Sequence, residues 1–172
     1  MLIPAGTVHC SGADTMVLEI SATPYIFTFK LWDWGRVDLD GKPRPIHLEH
    51  GAANIQWYRN TEWVHRNLVN AVAEVYTGEN GTVVRTGLHE REFLDTFRFT
   101  TSSALPVHRN GSVHMLNLVD GTRAVLRSKS DAFPPLELHY AETCIVPQAA
   151  GDYEIYSPDG SEVKVILACV RN

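Results

Sequence analysis

The feature that most constrains the fold of this chain is the alternation of apolar and polar side chains in short runs between residues 92 and 171. Because successive side chains of a strand point to opposite faces, each run predicts a half-buried strand. The runs are 93–100, 112–119, 123–127, 136–146, 152–157 and 162–170. They are separated by the turn dipeptides Asn110-Gly111, Asp120-Gly121, Ala150-Gly151 and Asp159-Gly160. Short antiparallel strands joined in this way predict a mainly β sandwich or jelly-roll barrel.

The first third of the chain has a weaker version of this pattern. Residues 16–20 and 25–34 predict two strands, and Asp40-Gly41 predicts a tight hairpin that returns through a strand at 44–48. In the long strand one face carries Tyr25, Phe27 and Phe29, and the other carries Lys30, Trp32 and Trp34. Residues 51–88 have no strong period, which predicts a linker with short helices that packs against the strands on its C-terminal side.

Length and composition limit the function classes that need consideration. The 172 residues are 44% hydrophobic, enough for the core of one domain or of two small ones. The formal charge of −5 gives no basic face, which argues against nucleic acid and anionic membranes as partners. No apolar run approaches the length of about 20 residues that crosses a bilayer, and no signal-peptide pattern is present. Three cysteines without paired spacing predict reduced thiols and a cytoplasmic location.

The segment Ile3-Pro4-Ala5-Gly6-Thr7-Val8-His9 is the first candidate for chemistry. Proline and glycine favour a tight turn, after which the imidazole of His9 would point inward from the start of a barrel strand. Two interpretations stay open, a metal ligand or a half-buried histidine in a turn. One histidine does not make a metal site, because a catalytic zinc takes three protein ligands and keeps one position open.

Two further groups of residues could bind a charged ligand or a metal ion. Lys30 alternates with aromatic side chains, so its ammonium could project into a pocket and hold a phosphate or polarise a carbonyl; the alternative is a solvated face. Asp33 and Arg36 are expected to form a structural pair.

The third group lies in the segment 47–50. In a strand His47 and Glu49 would share a face, and in a helix His47 and His50 would, which leaves weak metal binding or a capped strand end as alternatives.

Together these stretches resemble the class I mannose-6-phosphate isomerases. The resemblance rests on the segments 3–9, Val17-Leu18-Glu19-Ile20, Lys30-Leu31-Trp32-Asp33-Trp34-Gly35-Arg36 and Asp40-Gly41-Lys42-Pro43-Arg44-Pro45-Ile46-His47. It implies a cupin fold, that is, a double-stranded β-helix or jelly roll. On this resemblance residues 1–50 would be a partial first cupin, 51–88 the linker and 89–172 a second cupin-like barrel.

The resemblance also implies an activity, the zinc-dependent aldose–ketose isomerisation of a phosphorylated sugar. It makes His9 a zinc ligand and Lys30, together with Arg36, the candidate catalytic residues. Lys30 stands where the family has an arginine, and it lacks the planar fork that engages two oxygens at once. The family's glutamine, histidine and glutamate ligands precede the segment 3–9, and Tyr153 stands where a metal-binding cupin would have a histidine. We therefore expect a C-terminal portion of an isomerase-like protein, inactive as an isolated chain.

The alternative to an enzyme is a non-catalytic cupin module that binds sugar or serves in assembly. Under the first hypothesis the partner is a sugar phosphate. Under either hypothesis unpaired strand edges and exposed aromatic residues such as Trp32, Trp34 and Trp57 favour a homo-oligomer.

Overall fold

The computed structural model describes residues 1–21, 28–87, 89 and 92–171. Within them the chain divides into two compact units. The N-terminal unit is Ile3–Val69, and the barrel unit is Asn70–Asn172 together with Met1–Leu2. The N-terminal unit contains two helices, α1 (Leu48–Asn54) and α2 (Thr61–Asn67). Each has seven residues, and no helix of the described chain is both long and apolar enough for a membrane span.

The barrel unit is built from antiparallel strands in two sheets. The strands are β1 (Ala73–Gly78), β2 (Gly81–Thr86), β3 (Leu94–Thr101), β4 (Ala104–Val107), β5 (His114–Asp120), β6 (Arg123–Ser128), β7 (Leu136–His139), β8 (Thr143–Val146), β9 (Tyr153–Tyr156) and β10 (Val163–Val170). One sheet has the order β1-β2-β3-β10-β5-β8 and the other the order β4-β9-β6-β7. This architecture confirms the prediction of a mainly β jelly roll with few helices.

The core lies between the two sheets, and the period of two explains why. Strand β10 pairs with both β3 and β5, and its alternate residues Val163, Val165 and Leu167 are buried. The facing sheet contributes Leu105, Leu126, Leu138 and Ile155, each almost fully buried. Side chains of alternating strands therefore interdigitate from both sheets, as in other sandwiches.

Two sequence expectations for the barrel unit need correction. The run 136–146 is not one strand, because Ala141 adopts a positive φ of 65° and the chain turns there, so β7 and β8 join different sheets. The expected linker 51–88 does contain helical turns, but it also contains β1 and β2. All six residues of β1 are exposed, so this edge strand has no buried face that could produce a visible alternation.

The strand predictions for the N-terminal unit are wrong wherever the structure describes the residues. Residues 16–20 are exposed and form no strand, and the segment 44–48 runs into helix α1 instead. Of the predicted strand 25–34, the part up to residue 27 lies outside the described residues and the remainder is not a strand. Trp34 adopts a positive φ of 51°, which breaks an extended backbone.

The predicted hairpin turn is present. Gly41 has a φ of +73°, and the Asp38 carboxylate accepts hydrogen bonds from the backbone amides of Asp40 and Lys42, both at 2.9 Å. The turn is closed by a single antiparallel bridge between Val37 and Pro43. In the described residues this bridge does not continue into a ladder, so the segments on either side of the turn are not strands.

Candidate functional site

The turn that carries His9 is held by its own backbone and by one arginine. Arg59 Nη1 donates hydrogen bonds to the Ala5 carbonyl and to Thr7 Oγ1, each at 2.7 Å. Gly6 has a φ of +82°, and a Cβ there would lie 2.7 Å from the Asn54 carbonyl oxygen. The turn is thus held by the hydrogen bonds of Arg59 and by the close approach of Gly6 to Asn54. The His9 side chain is exposed, and its Nδ1 lies 2.9 Å from the Thr7 carbonyl oxygen.

The charged residues of the segment 30–36 are organised around a structural ion pair. Asp33 is 5% exposed, and its carboxylate accepts hydrogen bonds from Arg44 Nε and Nη2, both at 2.6 Å. These hydrogen bonds hold the pKa of Asp33 below its usual value, against the opposing effect of burial. The expected pairing of Asp33 with the Arg36 side chain is wrong, because the Arg44 guanidinium occupies the carboxylate.

The side chains of the two candidate catalytic residues lie outside the hydrogen bonds of this pair. Lys30 Nζ lies 3.9 Å from Asp33 Oδ1, and the Arg36 guanidinium lies 5.3 Å from the ring centroid of Trp34. Among the described residues, no hydrogen bond or ion pair joins His9 to Lys30 or to Arg36. Their assignment to a common active site stays a prediction.

The segment 47–50 adopts the helical alternative. His47 is the N-cap of α1, and its Nδ1 accepts a hydrogen bond from the Lys30 backbone amide at 3.2 Å. The centroid of the Phe29 ring lies 6.1 Å from that of the His47 imidazole and 6.0 Å from that of the His50 imidazole. Both histidines thus pack against an aromatic ring.

The described residues do not fit the zinc ion that the resemblance implies. No three His, Cys, Asp or Glu side chains of residues 1–21, 28–87, 89 and 92–171 form a group that could hold a metal ion. His9 offers one imidazole, in contact with its own turn.

A different candidate site lies inside the barrel unit. A cavity of about 410 Å³ opens between the two sheets. Most of its wall is apolar, and the apolar residues that line it from β2, β3, β4 and β10 include Val83, Phe97, Phe99, Leu105, Val107 and Leu167. Because these residues lie on hydrogen-bonded strands, the shape of the cavity is set by the sheets themselves.

Two polar residues of the cavity lining, His114 and Asn110, belong to a hydrogen-bonded cluster that joins the two sheets. His114, on β5, is 2% exposed, and its Nε2 lies 3.1 Å from Asn110 Oδ1. Its Nδ1 lies 2.9 Å from the hydroxyl of Tyr153, on β9. The amide of Asn110 is oriented by the backbone amide of Ser112, which donates to Oδ1, and Nδ2 donates to Cys169 Sγ at 3.2 Å.

This geometry determines the proton positions in the cluster. Asn110 Oδ1 can only accept, so His114 donates from Nε2 and its Nδ1 accepts the proton of the Tyr153 hydroxyl. Burial, assisted by the positive charge of Arg109, lowers the pKa of His114 to about 4, so the imidazole is neutral at pH 7. Burial also raises the pKa of Tyr153, which keeps its hydroxyl protonated as a donor.

Sequence reasoning missed this cluster, although one signal was available. His114 shares the inward face of its predicted strand with Leu116 and Leu118, which are fully buried. A histidine at an inward position of a buried strand needs hydrogen-bond partners, and that requirement marks a polar cluster. Its partners could not be identified, because Tyr153 is 39 residues away in the other sheet.

Comparison with known proteins supports the fold. No family model matches the chain, and no curated protein matches it either. Among solved structures, the mannose 6-phosphate isomerase from Bacillus subtilis is similar over 81% of this chain, with a TM-score of 0.56 and 13% identity. The cupin-2 domain protein Rru_A2000 from Rhodospirillum rubrum is similar over 60% of this chain and 72% of its own, with a TM-score of 0.48 and 10% identity.

Identities this low establish likeness of fold alone. The TM-score above 0.5 belongs to the Bacillus isomerase, and this chain spans 39% of that protein's length. The fold is therefore a jelly roll of the cupin type. The assignment to the class I isomerases is not reached by these comparisons.

Proposed function

We propose that this chain is a cupin-type module that binds a small molecule, and that the barrel cavity is its binding site. The observation that carries the proposal is the cavity of about 410 Å³ with an apolar wall and one hydrogen-bonded polar cluster. Ligand pockets are commonly about 300–1,000 Å³, mostly apolar, with a few placed polar groups. The volume of this cavity, its apolar wall and its few polar groups fit that description.

Filling the cavity tests the proposal. Val83 is buried in the wall, and Val83→Phe places a larger ring in the open space. The matched control is Val170→Phe, the same substitution at an exposed position of β10 that does not line the cavity. A panel of small molecules of graded polarity is added to the three proteins, and their melting temperatures are measured.

We expect at least one chemical class to raise the melting temperature of the wild type and of Val170→Phe but not of Val83→Phe. A ligand that binds only the folded state stabilises it by RT ln(1 + [L]/Kd), which is about 2.7 kcal/mol at one hundred times Kd. If every class affects the three proteins alike, the cavity is not a binding site and the proposal fails.

The isomerisation of a phosphorylated sugar is the second candidate function. Its support is the likeness of fold to the Bacillus isomerase and the resemblance of the segments that contain His9, Lys30 and Arg36. Because the described residues do not fit zinc, we expect no turnover of mannose 6-phosphate to fructose 6-phosphate by the isolated chain with added zinc. Turnover that depends on stoichiometric zinc would overturn this expectation, and loss of that turnover in Lys30→Ala would then assign the site.

A further inference from the structure

The wall of the barrel cavity offers few partners to a polar ligand. Val83, Phe99, Leu105, Val107 and Leu167 present hydrocarbon side chains to the cavity. The strands β2, β3 and β10 pair on both sides, so their backbone groups are used within the sheet, whereas β4, which carries Leu105 and Val107, is an edge strand that pairs with β9 on one side. A sugar placed against such a wall would exchange its hydrogen bonds to water for contacts with carbon. Buried hydroxyls without partners are disfavoured, so this wall discriminates against carbohydrate.

The polar cluster does not change that conclusion, because its members already bond to one another. Both ring nitrogens of His114 are used, one by Asn110 and the other by Tyr153. Asn110 Nδ2 donates to Cys169. A ligand that needed these groups would have to break existing hydrogen bonds, whereas an apolar ligand leaves the cluster intact.

The charges at the cavity also disfavour a phosphate. No lysine or arginine is among the residues that line the cavity in the described part of the chain. His114 is neutral at pH 7, and the His108 imidazole at the exposed side lies 2.8 Å from the Asp152 carboxylate. Phosphate groups are bound by arginine, lysine or clusters of backbone amides, and the lining has no such cation.

Beside His108, the open side of the cavity also carries apolar surface. Its exposed lining residues include Val75 and Tyr76 of the edge strand β1, which are 56% and 44% exposed. A ligand that enters here passes hydrocarbon and an aromatic ring before it reaches the interior. Entry and interior thus select for the same kind of molecule.

We propose that the barrel cavity binds an uncharged, largely apolar small molecule of aromatic or aliphatic character, and not a sugar or sugar phosphate. This inference rests on the proposed function, because it names the ligand class of the same site. It separates the barrel cavity from any sugar-phosphate chemistry at His9, Lys30 and Arg36.

Titration with N-phenyl-1-naphthylamine, a neutral probe that fluoresces in apolar surroundings, tests the inference. We expect an increase in emission with the wild type and with Val170→Phe, and at least a tenfold weaker affinity with Val83→Phe. Circular dichroism checks that the variants are folded. If Val83→Phe does not fold, Val75→Trp replaces it, because residue 75 is exposed at the open side and a larger side chain there obstructs entry.

A competition experiment distinguishes failure of the apolar ligand class from failure of the cavity as a binding site. Millimolar mannose or mannose 6-phosphate should not displace the probe. If either sugar displaces it from the wild type, and stabilises the wild type but not Val83→Phe, the cavity binds ligands but the apolar class is wrong. If the probe binds the wild type, Val83→Phe and Val75→Trp alike, the cavity is not its site, and both the inference and the proposed function fail.

Discussion

At the scale of single residues, His114 shows how a buried position changes the chemistry of a side chain. The unfolded chain takes up a proton on this imidazole near pH 6.5, but the folded chain does so only near pH 4. Between these values the unfolded state binds more protons, so the free energy of unfolding falls as the pH is lowered through this window. The shift from 6.5 to about 4 corresponds to about 3 kcal/mol.

Replacing this histidine removes that pH dependence. We expect His114→Gln to lower the free energy of unfolding at pH 7 by about 1–3 kcal/mol, because the cluster loses hydrogen bonds. From pH 6.5 to pH 4, however, its stability should fall less steeply than that of the wild type. Urea unfolding at a series of pH values measures both effects. His65→Gln, at an exposed position of helix α2, is the control for a histidine-to-glutamine substitution outside the cluster. Parallel curves for the wild type and His114→Gln would contradict the prediction.

Asp33 and Arg44 behave as one unit, and this can be measured by a double-mutant cycle. We expect Asp33→Ala and Arg44→Ala each to lower the melting temperature, and the double variant to be little worse than either, because each single change already breaks the same pair. Arg36→Ala should change the free energy of unfolding by about 0.5 kcal/mol or less, since its guanidinium lies over the exposed Trp34 ring and forms no hydrogen bond to Asp33 in the described structure. Additive effects of the first two substitutions would disprove the coupling.

At the scale of elements, the hairpin of β1 and β2 depends on one glycine. Gly81 has a φ of +134°, and a Cβ there would lie 2.1 Å from the Thr100 carbonyl oxygen of β3. Since that oxygen belongs to a paired strand, it cannot move without opening the sheet. The glycine therefore allows β2 to approach β3, and with it the cavity wall that β2 contributes.

Two alanine substitutions separate the backbone effect from the steric one. Gly160 also has a positive φ, +76°, but the nearest heavy atom to its Cβ position lies 4.0 Å away. We expect Gly160→Ala to cost about 1 kcal/mol from backbone conformation alone. Gly81→Ala should cost at least about 3 kcal/mol, because the steric clash adds to that cost. Equal losses in chemical denaturation would show that the close approach to Thr100 is unimportant.

At the scale of the whole molecule, the sheet edges and the exposed aromatic residues bear on self-association. The sheets end at β1 and β8 and at β4 and β7, and edge strands present unpaired amides and carbonyls. Trp32, Trp34 and Trp57 are each more than half exposed. We expect a dimer or larger assembly at micromolar concentration, seen in light scattering as a mass of at least twice the 19.2 kDa of one chain. A mass of one chain under these conditions would contradict the expectation.

The mainly β character of the barrel unit follows from its amino-acid sequence. The alternation of apolar and polar side chains indicates which face of each strand is buried. The glycines of the predicted turns, at positions 111, 121, 151 and 160, all adopt a positive φ. The same reasoning failed before residue 50. In residues 1–21 and 28–50, which the structure describes, aromatic alternation is not accompanied by a neighbouring strand, and Asp33 and Arg44 form a side-chain ion pair instead.

Which residues come into contact depends on the packing of the two sheets. His114 contacts Tyr153 because β5 and β9 lie in facing sheets, and it lies opposite Cys169 because of the register of β5 and β10. Sheet order and register follow from the packing of the whole core, and no local pattern contains them. The barrel cavity and its polar cluster depend on that order and register, whereas the strands that surround them depend mainly on the local alternation of side chains.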